Sequence, residues 1–173
     1  MIAINTNYKI APWATILYAC DLHWWDWHHE EVKTFAGRKI TQDEEAAKKY
    51  GLEHVKSVDK PGLSRDKSVI HQGRNSGVQA INLAVNLGAQ RIVLLGFDMQ
   101  TSGNKTHWHG HHPNFYDAQV SGWARYLEKL HDVYRLVAKD ADEMGIEIVN
   151  ATRETALRCF QRKPLSSLLQ AQA

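Results

Sequence analysis

Residues 75–98 read Asn-Ser-Gly-Val-Gln-Ala-Ile-Asn-Leu-Ala-Val-Asn-Leu-Gly-Ala-Gln-Arg-Ile-Val-Leu-Leu-Gly-Phe-Asp, a helix that feeds a buried strand. Asn75 or Ser76 caps the helix, Gly77, Ala80, Ile81, Ala84 and Leu87 line one face, and Gly88 ends it, because glycine tolerates the left-handed conformation of a helix C-terminus. Arg91 to Leu95 is an almost wholly apolar run with two β-branched members, the pattern of a central parallel strand covered on both sides. Gly96-Phe97-Asp98 then leaves the carboxyl end of that strand. In open α/β sheets ligands bind at this edge, so Asp98 stands where a ribose hydroxyl, a metal or a proton would be handled; its alternative role is to cap the following loop.

Working outward, Met1-Ile-Ala-Ile reads as a strand ending in polar Asn5 and Asn7. Lys9 to Ala14 fits a short turn or helix, Pro12 being tolerated at a first helical position, and Thr15 to Cys20 is a second strand followed by Asp21. Residues 21–35 start a helix at Asp21. Trp24, Trp25 and Trp27 cannot share one face of it, so they divide between core or interface packing and stacking on a ligand. Gly37 to Thr41 leads into a strand, and Thr41 or Asp43 caps a helix that Gly51 ends. Residues 52–75, with Pro61-Gly62, read as a strand or two and a loop. A long loop follows Asp98 through residue 116, and an amphipathic helix runs from about Asp117 to Met144 with Gly145 just past its end. Ile146 to Ala151 is a further strand, and Glu154 to Phe160 reads as a terminal helix before Pro164. Strands alternate with helices, which predicts an α/β fold: a three-layer sandwich around a mostly parallel sheet. One domain is expected over residues 1–164, with 165–173 a frayed C-terminal tail.

The 173 residues carry a formal charge of +2, 43% hydrophobic and 23% charged residues, a composition that does not point to nucleic acid. No stretch is long and apolar enough to span a membrane and no signal-peptide pattern opens the chain, so the expected location is the cytoplasm. Cys20 and Cys159 lie far apart in apolar settings and read as buried free thiols. The outliers are ten histidines and six tryptophans, concentrated in residues 23–29 and 107–112.

Asn75-Ser76-Gly77 opening an Ala-rich helix, the Leu87-Gly88 pause and the strand Ile92-Val-Leu-Leu-Gly-Phe-Asp98 resemble the nucleotide-binding half of the bacterial lipooligosaccharide sialyltransferases, and are closest to related glycosyltransferase-like proteins of bacteriophages. Ala3-Ile4-Asn5 before an aromatic segment, and Glu147 to Thr152 before the chain end, are similar to further strands of that family. The resemblance implies a Rossmann-like fold, a CMP-type nucleotide or nucleotide-sugar as partner, glycosyl transfer as the reaction and no required metal. It also implies a cell carrying a phage or prophage. Asn5, Ser76, Gly77, Gly96 and Asp98 become nucleotide-side residues, Tyr116 serves the phosphate, and one of the loop histidines, His109 or else His107, is the base for the acceptor hydroxyl. The family begins with a strand and a Gly-x-Gly-x-Ser phosphate turn; as read here the fold lacks that first βα unit.

His107-Trp-His109-Gly-His111-His112 also places four imidazoles within six residues, where alternate positions of an extended segment converge on one ion, zinc for choice. Asp98, Asp21, His23, His28 or His29 would complete such a site. Three readings therefore stand side by side: a nucleotide-sugar-dependent transferase, a non-catalytic phage or bacterial protein that uses its His/Trp surface for metal or protein binding, and a metal-dependent hydrolase. A homo-oligomer fits any of them.

Overall fold

The structure, a computed structural model, describes residues 1–100 and 120–169. They form a mixed α/β fold in two compact units, Met1–Ala89 and Gln90–Ala173, and all strand pairing among them is parallel. No helix among the described residues is long and apolar enough to cross a membrane.

In the first unit β1 (Ile2–Ile4), β2 (Ile16–Tyr18), β3 (Arg38–Thr41) and β4 (Glu53–His54) lie side by side in chain order. β5 (Lys56–Val58) pairs with β6 (Val69–His71) in a separate ribbon. Side chains of a strand alternate between faces, and the core divides accordingly. Ala3, Leu17 and Ala19 join Trp24 and Trp25 of α1 (Leu22–His28) and Ala46 of α2 (Glu44–Tyr50). Ile16, Tyr18, Cys20 and Ile40 meet Ala80 and Leu83 of α3 (Ser76–Asn86) and Ile70 of β6. The sheet is thus covered on both faces, by α1 and α2 on one and α3 on the other.

The caps are those the residue types dictate. Asp43 accepts from Ala46 N at the start of α2, and Gly51 closes it at φ 64°. Asn75 accepts from Gly77 N and Val78 N at the start of α3, and Gly88 follows its end at φ 93°. α3 is buried well beyond its small-residue face, so its polar side chains need partners. They have them in a ladder along the helix. Ser76 meets Cys20, Gln79 accepts from the Tyr18 hydroxyl, Asn82 binds Gly62 O and Ser64 N, and Asn86 donates to Val69 O. Asn82 and Asn86 thereby fasten the segment between β5 and α3. Residues 5–9, expected as the end of a strand and the start of a short turn or helix, make a 3-10 helix.

In the second unit β7 (Arg91–Leu94), β8 (Glu147–Asn150) and β9 (Gln161–Arg162) form a sheet in which β8, not β7, is the middle strand. The expectation of β7 as a central strand covered on both sides is corrected: it bonds along one edge only among the described residues, and Val93 and Leu95 are 37% and 49% exposed. α4 (Val120–Glu143) packs on β8, and its Tyr134 is fully enclosed with Phe97 and Phe160 edge-on to its ring. The terminal helix expected over 154–160 is a loop. Asn150 Oδ1 accepts Thr152 N, Thr152 Oγ1 accepts Phe97 N, and Thr155 Oγ1 donates to Phe97 O while accepting Leu157 N. Side chains thus satisfy the Thr152 and Leu157 N–H groups and tie the segment to Phe97, in place of the local bonds of a helix. Within the segment read as a tail, Leu165–Leu169 forms α5, and its Leu168 is buried beside Val149 and Ala151.

Gly37 sits where a Cβ would lie 2.6 Å from Thr15 O and 2.7 Å from both Ala14 O and the Phe35 ring. Two of these neighbours are backbone and cannot step aside. Gly37→Ala is expected to lower stability by about 1–3 kcal/mol, read as a fall in the urea midpoint. Asn82→Leu leaves a buried N–H and a buried C=O without partners and is expected to cost about 2–4 kcal/mol in the same measurement.

Candidate functional site

The polar groups of the first unit collect at the carboxyl ends of its strands. Asn5 directly follows β1 with φ 50°, a left-handed conformation that asparagine adopts more readily than most residues. β2 pairs Tyr18 with Ile4 and runs on into Ala19, Cys20 and Asp21. Cys20, 8% exposed, holds its Sγ 3.1 Å from Asp21 Oδ2 and 3.0 Å from Ser76 Oγ at the first turn of α3. The thiol has one proton. It goes to the Asp21 carboxylate, so the Ser76 hydroxyl donates to the sulfur and keeps its lone pairs for another partner.

Burial, reinforced by the Asp21 charge, pushes the Cys20 thiol up from its ordinary 9.0 to about 12. It is therefore a neutral hydrogen-bonding group at cellular pH and not a nucleophile. Burial likewise raises Tyr18, whose hydroxyl donates to Gln79 Oε1 at 2.7 Å. At the α3 N-terminus the Gly77 and Val78 N–H groups point at Asn75 Oδ1, at 2.9 and 3.4 Å, and Gln79 N reaches Asn75 O. The amides a phosphate would otherwise meet there are engaged in the cap, so side chains carry the recognition chemistry of this edge.

Of the residues singled out in the sequence, Asn5, Ser76 and Gly77 belong to the first unit, where α3 packs on β1. Gly96 and Asp98 belong to the second unit, directly after β7. Gly96 has φ 76°, and Asp98, exposed, accepts Met99 N on Oδ1 at 2.8 Å, the loop-capping role. His107, His109, His111, His112 and Tyr116 lie outside the described residues. Trp24 and Trp25 are core residues, with Trp25 Nε1 donating to Ala19 O, so packing accounts for them. His23 stacks on Trp27, His28 lies 3.6 Å from Glu31, and His29 pairs with Glu30 while stacking on Tyr50. Among the described residues no three His, Cys, Asp or Glu side chains are grouped to hold a metal ion. Both cysteines are free thiols.

Three residues at this edge went unremarked in the sequence: Gln42 after β3, Ser57 in β5 and Gln72 after β6, joined by side-chain hydrogen bonds. The signal available for Gln42 and Gln72 was the one used for Asp98, a polar residue just past a strand. The chain matches no family model, no curated protein and no solved structure.

The raised Cys20 thiol makes a prediction with a definite sign. The folded state holds this proton more tightly than the unfolded chain, so the contribution is intact below pH 9.0 and is lost as pH rises from there towards about 12. Urea midpoints at about pH 8 and about pH 10.5 should show wild type losing more stability than Cys20→Ser over that interval. Asn75→Ala, which removes the α3 cap, is expected to cost about 0.5–2 kcal/mol at neutral pH.

Proposed function

We propose that the chain is a nucleotide- or nucleotide-sugar-binding protein of Rossmann-like fold and of the sialyltransferase-like class, taking a CMP-type ligand, with glycosyl transfer as its reaction. The observation that carries the reading is the 3.0 Å contact between Cys20 and Ser76, which sets the first turn of a buried helix against the carboxyl end of an interior parallel strand. Ligands of parallel α/β sheets bind beyond this edge. Asn5, directly after the neighbouring strand, adds an amide at the same carboxyl edge. Ser76 offers lone pairs and Asn5 both donors and an acceptor, a set suited to ribose and sugar hydroxyls. The resemblance of the Asn75-Ser76-Gly77 opening to the nucleotide-binding half of the sialyltransferases supports the same assignment. A transfer reaction also needs a general base, the role that the resemblance gives to His109 or His107.

Isothermal titration with CMP, UMP and their sugar conjugates tests the reading. Saturable binding by the wild type is expected, weakened about tenfold or more by Ser76→Ala or by Asn5→Ala, since each removes a hydrogen bond made in a partly buried site. Absence of binding for all of these ligands overturns the CMP-type assignment and the transfer reaction with it.

A further inference from the structure

The first unit contains a chain of amides that the function above does not use, and its hydrogen bonds fix which way each amide faces. Gln42 Nε2 donates to the Cys20 backbone carbonyl at 3.1 Å, and a carbonyl only accepts, so the Gln42 amide has one orientation. Its Oε1 therefore faces the other way, accepting Ser57 Oγ at 2.5 Å and Gln72 Nε2 at 3.0 Å. Gln72 Nε2 also donates to Ser57 Oγ at 2.9 Å. The Gln72 nitrogen is thus turned onto Gln42 and Ser57, and Gln72 Oε1 makes no hydrogen bond among the described residues. An amide free to turn serves equally as donor or acceptor. This one is held as an acceptor by bonds that run from Gln72 through Gln42 to the Cys20 carbonyl just past β2.

The same chain touches the proposed binding edge. Cys20 anchors Gln42 through its carbonyl and meets Ser76 through its thiol, while Gln72 stands just past β6 in the short segment that leads to α3. Gln42, Ser57 and Gln72 are each half-buried, so the free carbonyl is neither sealed in the core nor averaged away by solvent.

We infer that Gln72 selects the base of the nucleotide: its fixed carbonyl accepts a hydrogen bond from an exocyclic amine, and a base carrying a carbonyl at that position is rejected. Gln42 and Ser57 are the positioning residues that keep the acceptor turned outward. The assignment rests on the nucleotide-binding function proposed above. It adds that the ligand base carries an amine, with cytosine preferred to uracil or adenine to hypoxanthine according to the size of base the site admits. Two facing carbonyls repel and leave each without a donor, whereas the amine completes the chain of donors and acceptors.

The test is titration of the full chain with CMP against UMP and AMP against IMP, the two pairs separating a pyrimidine from a purine source of the amine. In at least one pair the amine-bearing nucleotide should bind about tenfold tighter or more. Gln72→Leu should bring that ratio close to one. Gln42→Leu frees the Gln72 amide to turn, so affinity for the carbonyl-bearing nucleotide should rise while that for its amine-bearing partner stays near the wild-type value, a gain that loosened packing would not produce. For a pyrimidine site, the wild-type protein can also be titrated with the ribonucleotide of 2-pyrimidinone, which lacks the exocyclic group and should bind between CMP and UMP; this arm needs no variant to fold. Equal binding within both pairs, or a preference that survives Gln72→Leu in folded protein, overturns the assignment and leaves nucleotide binding standing. Failure of every nucleotide to bind the wild type removes both.

Discussion

The hydrogen bond from the Tyr18 hydroxyl to Gln79 Oε1, 2.7 Å long and buried, fixes how α3 lies on the first sheet. A phenol and an amide left unpaired in the core would each cost about 1–3 kcal/mol, so helix and strand can dock only in the register that joins them. The rest of the edge follows from periodicity. Cys20 is two residues beyond Tyr18 and faces the same side of the sheet, and Ser76 is three residues before Gln79, one helical turn away. Aligning the first pair therefore aligns the second, and the Cys20 to Ser76 contact is its geometric result. Further along the same helix, Asn82 and Asn86 hold the segment that carries Gln72 towards α3.

Much of this fold is legible in the sequence because punctuation residues have local causes. Asp43 and Gly51 bracket α2, Asn75 and Gly88 bracket α3, and Gly145 follows α4 with φ 68°, each where its residue type predicts. The misreadings have a common origin in partners that periodicity cannot see. Residues 154–160 carry a helix-like pattern, yet Thr152 and Thr155 bond to Phe97, more than fifty residues away in the chain, and the segment stays open. The apolar run of β7 predicts a central strand, but apolarity does not say how many neighbours a strand acquires.

The candidate site divides in the same way. Ser76 and Asn5 stand out because they mark element boundaries, whereas the amide chain of Gln42, Ser57 and Gln72 draws on three strands and exists only once those strands are placed. Single glutamines at strand ends carry little information in a sequence, since most amides find water. The tryptophans show the converse: Trp24 and Trp25 are conspicuous by composition, and the core packing that the sequence allows for them claims both.

The uniformly parallel pairing of the described strands bears on how the chain reaches this state. An antiparallel hairpin can form from a few adjacent residues and serve as a local nucleus, but a parallel pair gains nothing until the intervening chain has crossed back. Here even the first two strands, Ile2–Ile4 and Ile16–Tyr18, are joined by a crossover that contains only a 3-10 turn, without a full α-helix to organise the return. Loop closure must precede the contacts that reward it, which places folding on the slow side for a chain of this size. During synthesis the Tyr18 side chain emerges long before Gln79. The early strands must wait for α3 with apolar faces uncovered, an interval in which a molecular chaperone would find its substrate.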